Sequence, residues 1–357
     1  MIDSRRGMIG FLMAVTLMVP SSSKAGMLYD PGQYSSLGAL SITAPGTYVI
    51  SGTTLSVGTT IYTGVNVNGV AVFDFSSINI ASGVTLTGAP GNSMPVALLS
   101  RSNADINGQI NFSANGTIGG EGAGNTGVGG DGSIKYDLIS NSFQLSGGGG
   151  GGFGGAGGAG GTNGTLAGGA GGNQTFYSYG STLIGGSRGG NSGGGGGPGG
   201  GGGAIEVNAL QTLTIGVSGA IYATGGNGLY GGGGSGGEIV VAGSSVLNYG
   251  TLDADGGMGA PGNLVGQSKY PGNGGGGGGV IFDYHGYSSG DFVSGTRSVH
   301  GGMGQTFGQD GANGLSYEGV YPFSVPEPSS LVLLGTSTLG LLGLAAYRRS
   351  RGLRTVR

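Results

Sequence analysis

The chain has 357 residues, of which 94 are glycine and only 8% are charged, and it contains no cysteine and no tryptophan. Five basic residues stand against fifteen acidic ones between positions 26 and 328, so this part carries a net charge of about −10, which excludes the basic face of a nucleic-acid-binding protein. Because helix formers are scarce and disulfides are impossible, the composition predicts an all-β protein held by packing and backbone hydrogen bonds.

A removable leader is predicted over residues 1–25. Arg5 and Arg6 precede an apolar run at 8–19, and Ser23 and Ala25 are the small residues that a signal peptidase requires. The pattern predicts cleavage after Ala25, with signal peptidase and the export machinery as partners. The arginine pair leaves the twin-arginine route open beside the general export route.

Residues 26–146 are predicted to be rich in short strands. Runs of β-branched and aromatic residues, several alternating with small or polar ones, lie between glycine or proline stops, which indicates either a sandwich or a coiled β structure. The predicted strands are Thr47–Ile50, Thr59–Tyr62, Val70–Phe75, Ile78–Ile80, Val84–Thr87 and Val96–Leu99.

A repeat at 204–311 favours the coiled alternative. The octapeptide at 219–226 returns at 250–257 and, weakly, at 295–302, and each copy follows a strand, at 204–207, 238–241 and 280–283. Such stacked units indicate a right-handed parallel β-helix, a solenoid whose turns share one core. Ile221, Ala223, Leu252 and Ala254 are predicted to point inward, whereas Arg297 takes the inward position of the last unit.

The segment 147–203 is low in complexity, with 32 glycines in 57 residues. Glycine has no side chain to bury and loses much backbone entropy on ordering, so hydrophobic collapse cannot fold this segment. It is predicted to be a long excursion from the coil. Two alternatives remain open: disorder, or extended polyglycine-like rows lying against the coil.

A linker at 312–324 leads to a C-terminal tail at 325–357. The tail begins with Val325, Pro326, Glu327 and Pro328 and continues with an apolar run at 331–347. As a helix this run would span about 26 Å, which is short but sufficient for a single transmembrane helix. Five arginines follow and would hold this end in the cytoplasm: Arg348, Arg349, Arg351, Arg354 and Arg357.

This tail resembles the PEP-CTERM sorting signal, which is shared by otherwise unrelated exported proteins of Gram-negative bacteria that make extracellular polysaccharide. The resemblance implies recognition by a membrane-embedded exosortase, cleavage near Pro326–Pro328, and release or attachment of the body at the cell surface. The same short domain is also labelled an ice-binding protein C-terminal domain. The resemblance covers less than a tenth of the chain and concerns sorting alone.

No catalytic residue, metal site or cofactor is predicted. Asp253 and Asp255 share one face of a strand at about 7 Å, a spacing that carbohydrate-cleaving carboxylates also have, but outward acidic residues on a coil are ordinarily solvated. His285 and His300 lack the paired spacing of a metal site. Glycines beside three acidic residues resemble incomplete calcium-binding turns: Glu121, Asp131 and Asp310.

The sequence therefore predicts an exported, non-catalytic protein of the cell surface or extracellular matrix, anchored by its C-terminal helix before processing and associated with extracellular polysaccharide. One alternative is a polysaccharide-active enzyme on the same coil, in which Asp253 and Asp255 act on a sugar chain. Another is an ice-binding or adhesin-type protein, for which threonine pairs such as Thr53–Thr54 would form a flat face.

Overall fold

The computed structural model describes residues 29–139, 141–175, 183–262, 264–265, 268–269, 271–286 and 294–320. In these residues all regular secondary structure is β, and no helix occurs. The prediction of an all-β protein is confirmed. No helix within the described ranges is long and apolar enough to cross a membrane.

Twenty-two strands make up the described chain, and most of the predicted strands coincide with them within one or two residues. Their bounds are β1 Ala39–Ile42, β2 Gly46–Ser51, β3 Thr54–Val57, β4 Thr60–Thr63, β5 Val65–Val67, β6 Val70–Phe75, β7 Ser77–Ile80, β8 Val84–Gly88, β9 Val96–Ser100, β10 Ala104–Ile106, β11 Gln109–Asn111, β12 Ile134–Asp137, β13 Ser142–Leu145, β14 Ala204–Ile215, β15 Ala220–Tyr222, β16 Glu238–Asn248, β17 Thr251–Asp253, β18 Leu264–Val265, β19 Ser268–Lys269, β20 Val280–His285, β21 Thr296–Ser298 and β22 Leu315–Val320.

Two sheets contain most of these strands. The larger sheet has ten strands, seven of which lie in the order β1-β7-β10-β14-β16-β20-β22, and the smaller has eight in the order β21-β17-β15-β11-β8-β2-β3-β4. Strands from successive stretches of sequence pair in parallel. In the described part of the chain, antiparallel pairs occur only in the β2–β3–β4 meander, the β5–β6 hairpin and two isolated two-stranded sheets.

Along the sequence, strands of the larger sheet alternate with strands of the smaller sheet. β7, β10, β14, β16 and β20 belong to the larger sheet, and each is followed by a strand of the smaller one: β8, β11, β15, β17 and β21. Each of these strands pairs in register with the strand of the same sheet that precedes it in this series. Equivalent side chains are therefore stacked in rows across each sheet, about 4.8 Å apart.

The main core is built from these inward rows. One row crosses the smaller sheet as Tyr48, Leu86, Ile110, Ile221, Leu252 and Arg297. Ile221, Ala223, Leu252 and Ala254 are fully buried in this core, as predicted. A core of this kind requires neighbouring strands in each sheet, because a single strand cannot bury its own apolar face.

A second apolar cluster covers the outer face of the larger sheet. It contains the alternate residues of the same strands, including Val72, Leu99 and Val240, together with Tyr29, Phe153 and Leu183 from outside the sheet. Because both faces are covered there, β6 and β9 are buried along their whole length, which is typical of strands in parallel pairing.

The glycine-rich segments form ordered rows, which we call the glycine array: residues 146–153, 155–161, 168–173, 184–190, 199–203, 223–228, 231–237, 254–260, 272–279, 299–304 and 308–314. Backbone N–H groups in one row donate to carbonyl groups in neighbouring rows at 2.7–3.2 Å. Several rows run out and back after a strand of the smaller sheet, as 223–228 does with 231–237. In the described residues of 147–203, the glycines form extended rows whose backbone groups bond to rows from the repeat region.

The hydrogen bonds of the glycine array repeat every three residues. In the row 272–279, the N–H groups of Gly272, Gly275 and Gly278 donate to the stretch 306–312. The next set, starting at Asn273, donates to 254–260, and the third set, Gly274 and Gly277, donates to Gly148 and Gly151. Three residues per turn is the period of a polyproline II helix, which has no internal hydrogen bonds and can bond to neighbours on every side.

Glycine is required because the rows approach each other too closely for side chains. A Cβ atom on Gly150 would lie 1.9 Å from the carbonyl oxygen of Gly275, and one on Gly276 would lie 1.9 Å from that of Gly234. Both obstacles are backbone atoms, which cannot rotate away. The array thus replaces side-chain packing with backbone hydrogen bonds, whose polar groups are satisfied internally.

Candidate functional site

The outward face of the smaller sheet carries a row of polar side chains, which we call the polar ladder: Thr87, Asn111, Tyr222, Asp253 and Ser298. Strand register places each of these residues directly beside the next, on β8, β11, β15, β17 and β21. All five side chains are half-buried. The ladder therefore presents hydroxyl, amide, phenol and carboxyl groups at strand spacing, about 4.8 Å apart, on one face.

Asp253 and Asp255, the two candidate carboxylates, lie at one end of the ladder and are joined by a hydrogen bond. The backbone N–H of Asp255 donates to Asp253 Oδ1 at 3.0 Å. Asp255 Oδ1 in turn accepts from the hydroxyl of Ser298 and from the backbone N–H of His300, both at 2.6 Å. Burial raises the pKa of Asp253, and the negative charge of Asp255 acts in the same direction. The structure places Asp253 at the end of β17 and Asp255 two residues beyond it, side by side.

The two histidines lie in different places. His300 Nδ1 is 3.6 Å from Asp255 Oδ1, beside the ladder, whereas His285 Nε2 is 3.5 Å from Glu318 Oε1 at the end of the larger sheet. Across the ranges that the structure describes, no group of three or more histidine, aspartate or glutamate side chains is placed to hold a metal ion.

The three acidic residues beside glycine turns each bind backbone N–H groups. Glu121 is fully buried and accepts from the N–H groups of Gly52 and Ala89, both at 2.7 Å. Asp131 accepts from Asn191 N–H, and Asp310 accepts from Gly304 N–H, also at 2.7 Å. Asp310 thus joins two rows of the glycine array, whereas Glu121 and Asp131 bind backbone groups outside it.

A polar layer made of Asp283, Arg297 and Glu318 lies at the end of the main core that β20, β21 and β22 form. The inward row Phe73, Leu98, Val207, Val241 of the larger sheet continues with Asp283 and Glu318. Arg297, at the inward position predicted for it, pairs with Asp283 at 2.5 Å and with Glu318 at 3.0 Å. Burial raises the pKa of Asp283, and the charge of Arg297 opposes that rise. Charged groups thus take the positions that Val241 and Leu252 occupy on the neighbouring strands.

Sequence reasoning assigned no role to Asp283, Glu318 or the first three residues of the polar ladder. A signal was present for Asp283, because aligning the three repeat strands puts it in the column of Val207 and Val241. For Thr87 and Asn111 the only signal was their alternation with buried residues.

Glu238 carries a buried carboxyl group on the outer face of the larger sheet. Its raised pKa makes the stability of the fold depend on pH. Its side chain accepts from the N–H of Ile184 at 2.8 Å, and burial raises its pKa to about 8. Between its ordinary pKa and about 8, the folded state therefore binds more protons than the unfolded state, so the free energy of unfolding falls as pH rises.

We expect urea denaturation to give a lower free energy of unfolding at pH 8.5 than at pH 5, and Glu238→Gln to reduce this difference. The difference should be reduced and not abolished, because burial also raises the pKa of Glu121, to about 7. Asp105→Asn, at an exposed position, is the matched control and should leave the difference unchanged. A wild-type protein that becomes more stable between pH 5 and pH 8.5 would contradict this prediction.

The predicted sorting and export residues lie outside the described residues. These are the leader 1–25 with Ala25, the motif Val325–Pro328, the apolar run 331–347, and the five arginines between 348 and 357.

Comparison with known families identifies the tail. Residues 324–350 match the PEP-CTERM protein-sorting motif, a range that includes Val325–Pro328, the apolar run, Arg348 and Arg349. The chain thus carries a PEP-CTERM sorting motif, as its resemblance predicted. No curated protein and no solved structure matches the chain. The motif identifies an exported protein that an exosortase sorts toward the cell surface.

Proposed function

From this sorting motif, we propose that the chain is a non-catalytic protein of the cell surface or extracellular matrix that binds extracellular polysaccharide. The motif at 324–350 is the observation that carries the proposal, because it marks a protein delivered to the place where such polysaccharide lies. The net charge of about −10 between residues 26 and 328 supports a neutral or cationic polysaccharide, since a strongly anionic one would be repelled.

For the body we propose a right-handed parallel β-helix in which the glycine array forms one side. Its support is the alternation between the two sheets, the parallel register of equivalent strands and the return of the chain through paired glycine rows. Such a body would be a stiff rod without disulfides, suited to display outside the cell.

For the tail we propose that exosortase recognises Val325–Pro328 and cleaves beside it. The run 331–347 would hold the precursor in the membrane as a helix, with the arginines between 348 and 357 on the cytoplasmic side. Cleavage would then separate the body from its anchor.

The polar ladder is the surface that we propose for the polysaccharide. Hydroxyl, amide and carboxyl groups match the hydroxyl groups of sugars, and the ring of Tyr222 in the middle of the ladder offers an apolar surface with a polar tip. Polar side chains at regular strand spacing suit a chain of repeating units better than a single small molecule.

Cosedimentation with polysaccharide from the producing cells tests the proposal. We expect the mature body to bind, and Tyr222→Ala to weaken binding by about tenfold, since loss of a well-packed aromatic contact costs on the order of 1–2 kcal/mol. Tyr249→Ala, an exposed tyrosine outside the ladder, is the control and should bind normally. Absence of binding, or equal binding by both variants, would refute the proposal.

An enzymatic function is the second candidate, because Asp253 and Asp255 lie side by side. The raised pKa of Asp253 beside a second carboxyl is the arrangement that a general acid needs. If the mature protein releases reducing ends from the same polysaccharide, and Asp253→Asn abolishes this release, the enzyme replaces the binding protein. Under our proposal no reducing ends are released.

A further inference from the structure

Four asparagines are followed two residues later by serine or threonine, which is the acceptor sequence for N-linked glycans on exported proteins. They are Asn111, Asn115, Asn163 and Asn173. Such short sequences also arise by chance in a chain rich in small polar residues. The structure separates the four, because it shows which of the hydroxyl groups and which of the backbone segments a modifying enzyme could reach.

Asn115 and Asn163 begin two turns of the same construction. Each forms a pair of backbone hydrogen bonds with the residue three positions later, Ile118 or Leu166, at 2.9–3.1 Å. The two residues between them are glycine and threonine in both turns, and the glycine has a φ of +60° in one turn and +57° in the other. Glycine at this place is typical of a two-residue hairpin turn. The chain thus builds the same Asn-Gly-Thr turn twice.

Both turns project from the body. A Cβ atom on Gly116 or on Gly164 would have no heavy atom of the described residues within 4 Å, whereas one on Gly150 in the glycine array would lie 1.9 Å from a backbone oxygen. The side chains of Thr117 and Thr165 are exposed. Local opening of such a tip leaves the strands and rows behind it paired, so an enzyme can reach both parts of the acceptor sequence.

Asn111 lacks this freedom. It lies in β11, whose backbone pairs with β8 on one side and with β15 on the other. Its Oδ1 accepts from the backbone N–H of Ser113 at 3.0 Å, and the hydroxyl oxygen of Ser113 accepts from the N–H of Thr224 at 3.1 Å. Both side chains of this acceptor sequence are therefore held by the fold.

Asn173 is excluded by its threonine. It ends a row of the glycine array, and the Oγ1 atom of Thr175 is buried. The backbone N–H of Thr175 donates to the carbonyl of Phe153 at 3.0 Å, which holds the end of this row against its neighbour. The hydroxyl becomes accessible only when the end of the row detaches.

We propose that Asn115 and Asn163 are N-glycosylated after export and that Asn111 and Asn173 are not. The amide nitrogen of the asparagine forms a bond to the anomeric carbon of a sugar, while the bond from that carbon to a phosphate oxygen breaks. The diphosphate leaves with the bonding electrons and the amide nitrogen loses one proton, so nothing is oxidised or reduced.

The sugar donor is a lipid-linked sugar diphosphate, because an exported protein requires a donor that is available outside the cytoplasm. A glycan at each tip adds hydrated bulk beside the glycine array, whose glycines have no polar side chains. The turn at Asn115 lies next to this array, since the N–H of Gly200 donates to the carbonyl of Gly116 at 2.9 Å. The inference rests on export and is independent of polysaccharide binding.

Peptide mapping by mass spectrometry of the protein from the surface of the producing cells tests the proposal. We expect one or more sugar residues on Asn115 and on Asn163, and the unmodified mass at Asn111 and Asn173, with fragmentation assigning each site. Intact glycopeptides are the readout, because Asn-Gly sequences also lose the side-chain amide spontaneously and would imitate enzymatic release of a glycan.

Variants of the two threonines test the acceptor sequence without altering the asparagines. Thr117→Ala should abolish the modification at Asn115, and Thr165→Ala should abolish that at Asn163. The matched changes Thr117→Ser and Thr165→Ser keep the hydroxyl and should retain the modification. Ser113→Ala removes the hydroxyl of a sequence that the fold encloses and should leave the glycopeptides unchanged.

Three results overturn the proposal. The first is an unmodified asparagine at either turn in the protein from the producing cells. The second is a glycan attached to Asn111, to Asn173 or to a threonine oxygen. The third is modification of Asn115 that survives Thr117→Ala.

Discussion

Replacement of Gly150 by valine is expected to destabilise the mature body by about 3 kcal/mol or more, because overpacking against atoms that cannot move lies at the upper end of its usual cost. The obstacle is the carbonyl oxygen of Gly275, 1.9 Å from the position of a new Cβ, and the rows cannot separate without losing the hydrogen bonds of their neighbours. Thermal unfolding followed by circular dichroism would measure the loss.

The matched control introduces the same residue at Ala156, which lies in the adjacent row 155–161 with its side chain exposed. Ala156→Val should change the free energy of unfolding by no more than about 0.5 kcal/mol, as is usual for exposed positions. If Gly150→Val yields no folded protein, Gly150→Ala gives a milder obstruction to measure. Equal effects at Gly150 and Ala156 would mean that the glycine array is not close-packed.

Replacement of Arg297 by leucine is expected to cost about 3–5 kcal/mol, although it restores the aliphatic residue of the earlier turns, because a buried carboxylate is left without its partner. Asp283 is fully buried, and Arg297 is its ion-pair partner at 2.5 Å. Urea denaturation at pH 7 would show the loss. Arg188→Leu, at an exposed arginine of the same chain, should show little change.

The double variant Asp283→Val with Arg297→Leu should recover most of the lost stability. Register places these residues beside Val241 and Leu252, so the double change extends two aliphatic rows by one turn. Replacing a buried ion pair by apolar residues of similar volume is often neutral or stabilising. A double variant as unstable as Arg297→Leu alone would show that the polar layer is needed for more than charge balance.

The strands were predictable from the sequence because their signal is local. Val70–Phe75 and Val84–Thr87 combine β-branched or aromatic residues with glycine or proline boundaries, and the octapeptide repeat fixed the inward positions of Ile221 and Leu252. Alternation with a period of two shows which side chains of a strand are buried. The repeat shows which side chains of the neighbouring strands lie beside them.

The order of the glycine array was not predictable by the same reasoning. Its hydrogen bonds join distant residues, such as Gly274 with Gly148, and no apolar burial indicates the pairing. A local signal does exist in the triplets of 154–162, where two glycines are followed by Ala156, Ala159 or Thr162. The exposed or half-exposed third residue of each triplet matches the three-residue period of the rows.

The burial of several carboxyl groups was not predicted, because acidic residues are ordinarily expected to be exposed to solvent. Glu121, Glu206, Glu238 and Asp283 are buried, and each accepts hydrogen bonds from residues remote in the sequence. Composition counts such groups as solvated charges and cannot show which of them the fold encloses. The effective charge of the surface is therefore smaller than the sequence total.

Mass spectrometry of the protein isolated from the surface of the producing cells tests the central claim most directly, since that claim is export followed by exosortase processing. The account predicts a mature chain that begins at Gly26 and ends close to Pro326–Pro328, without the arginines of the tail. Surface protein that still ends at Arg357 would contradict it.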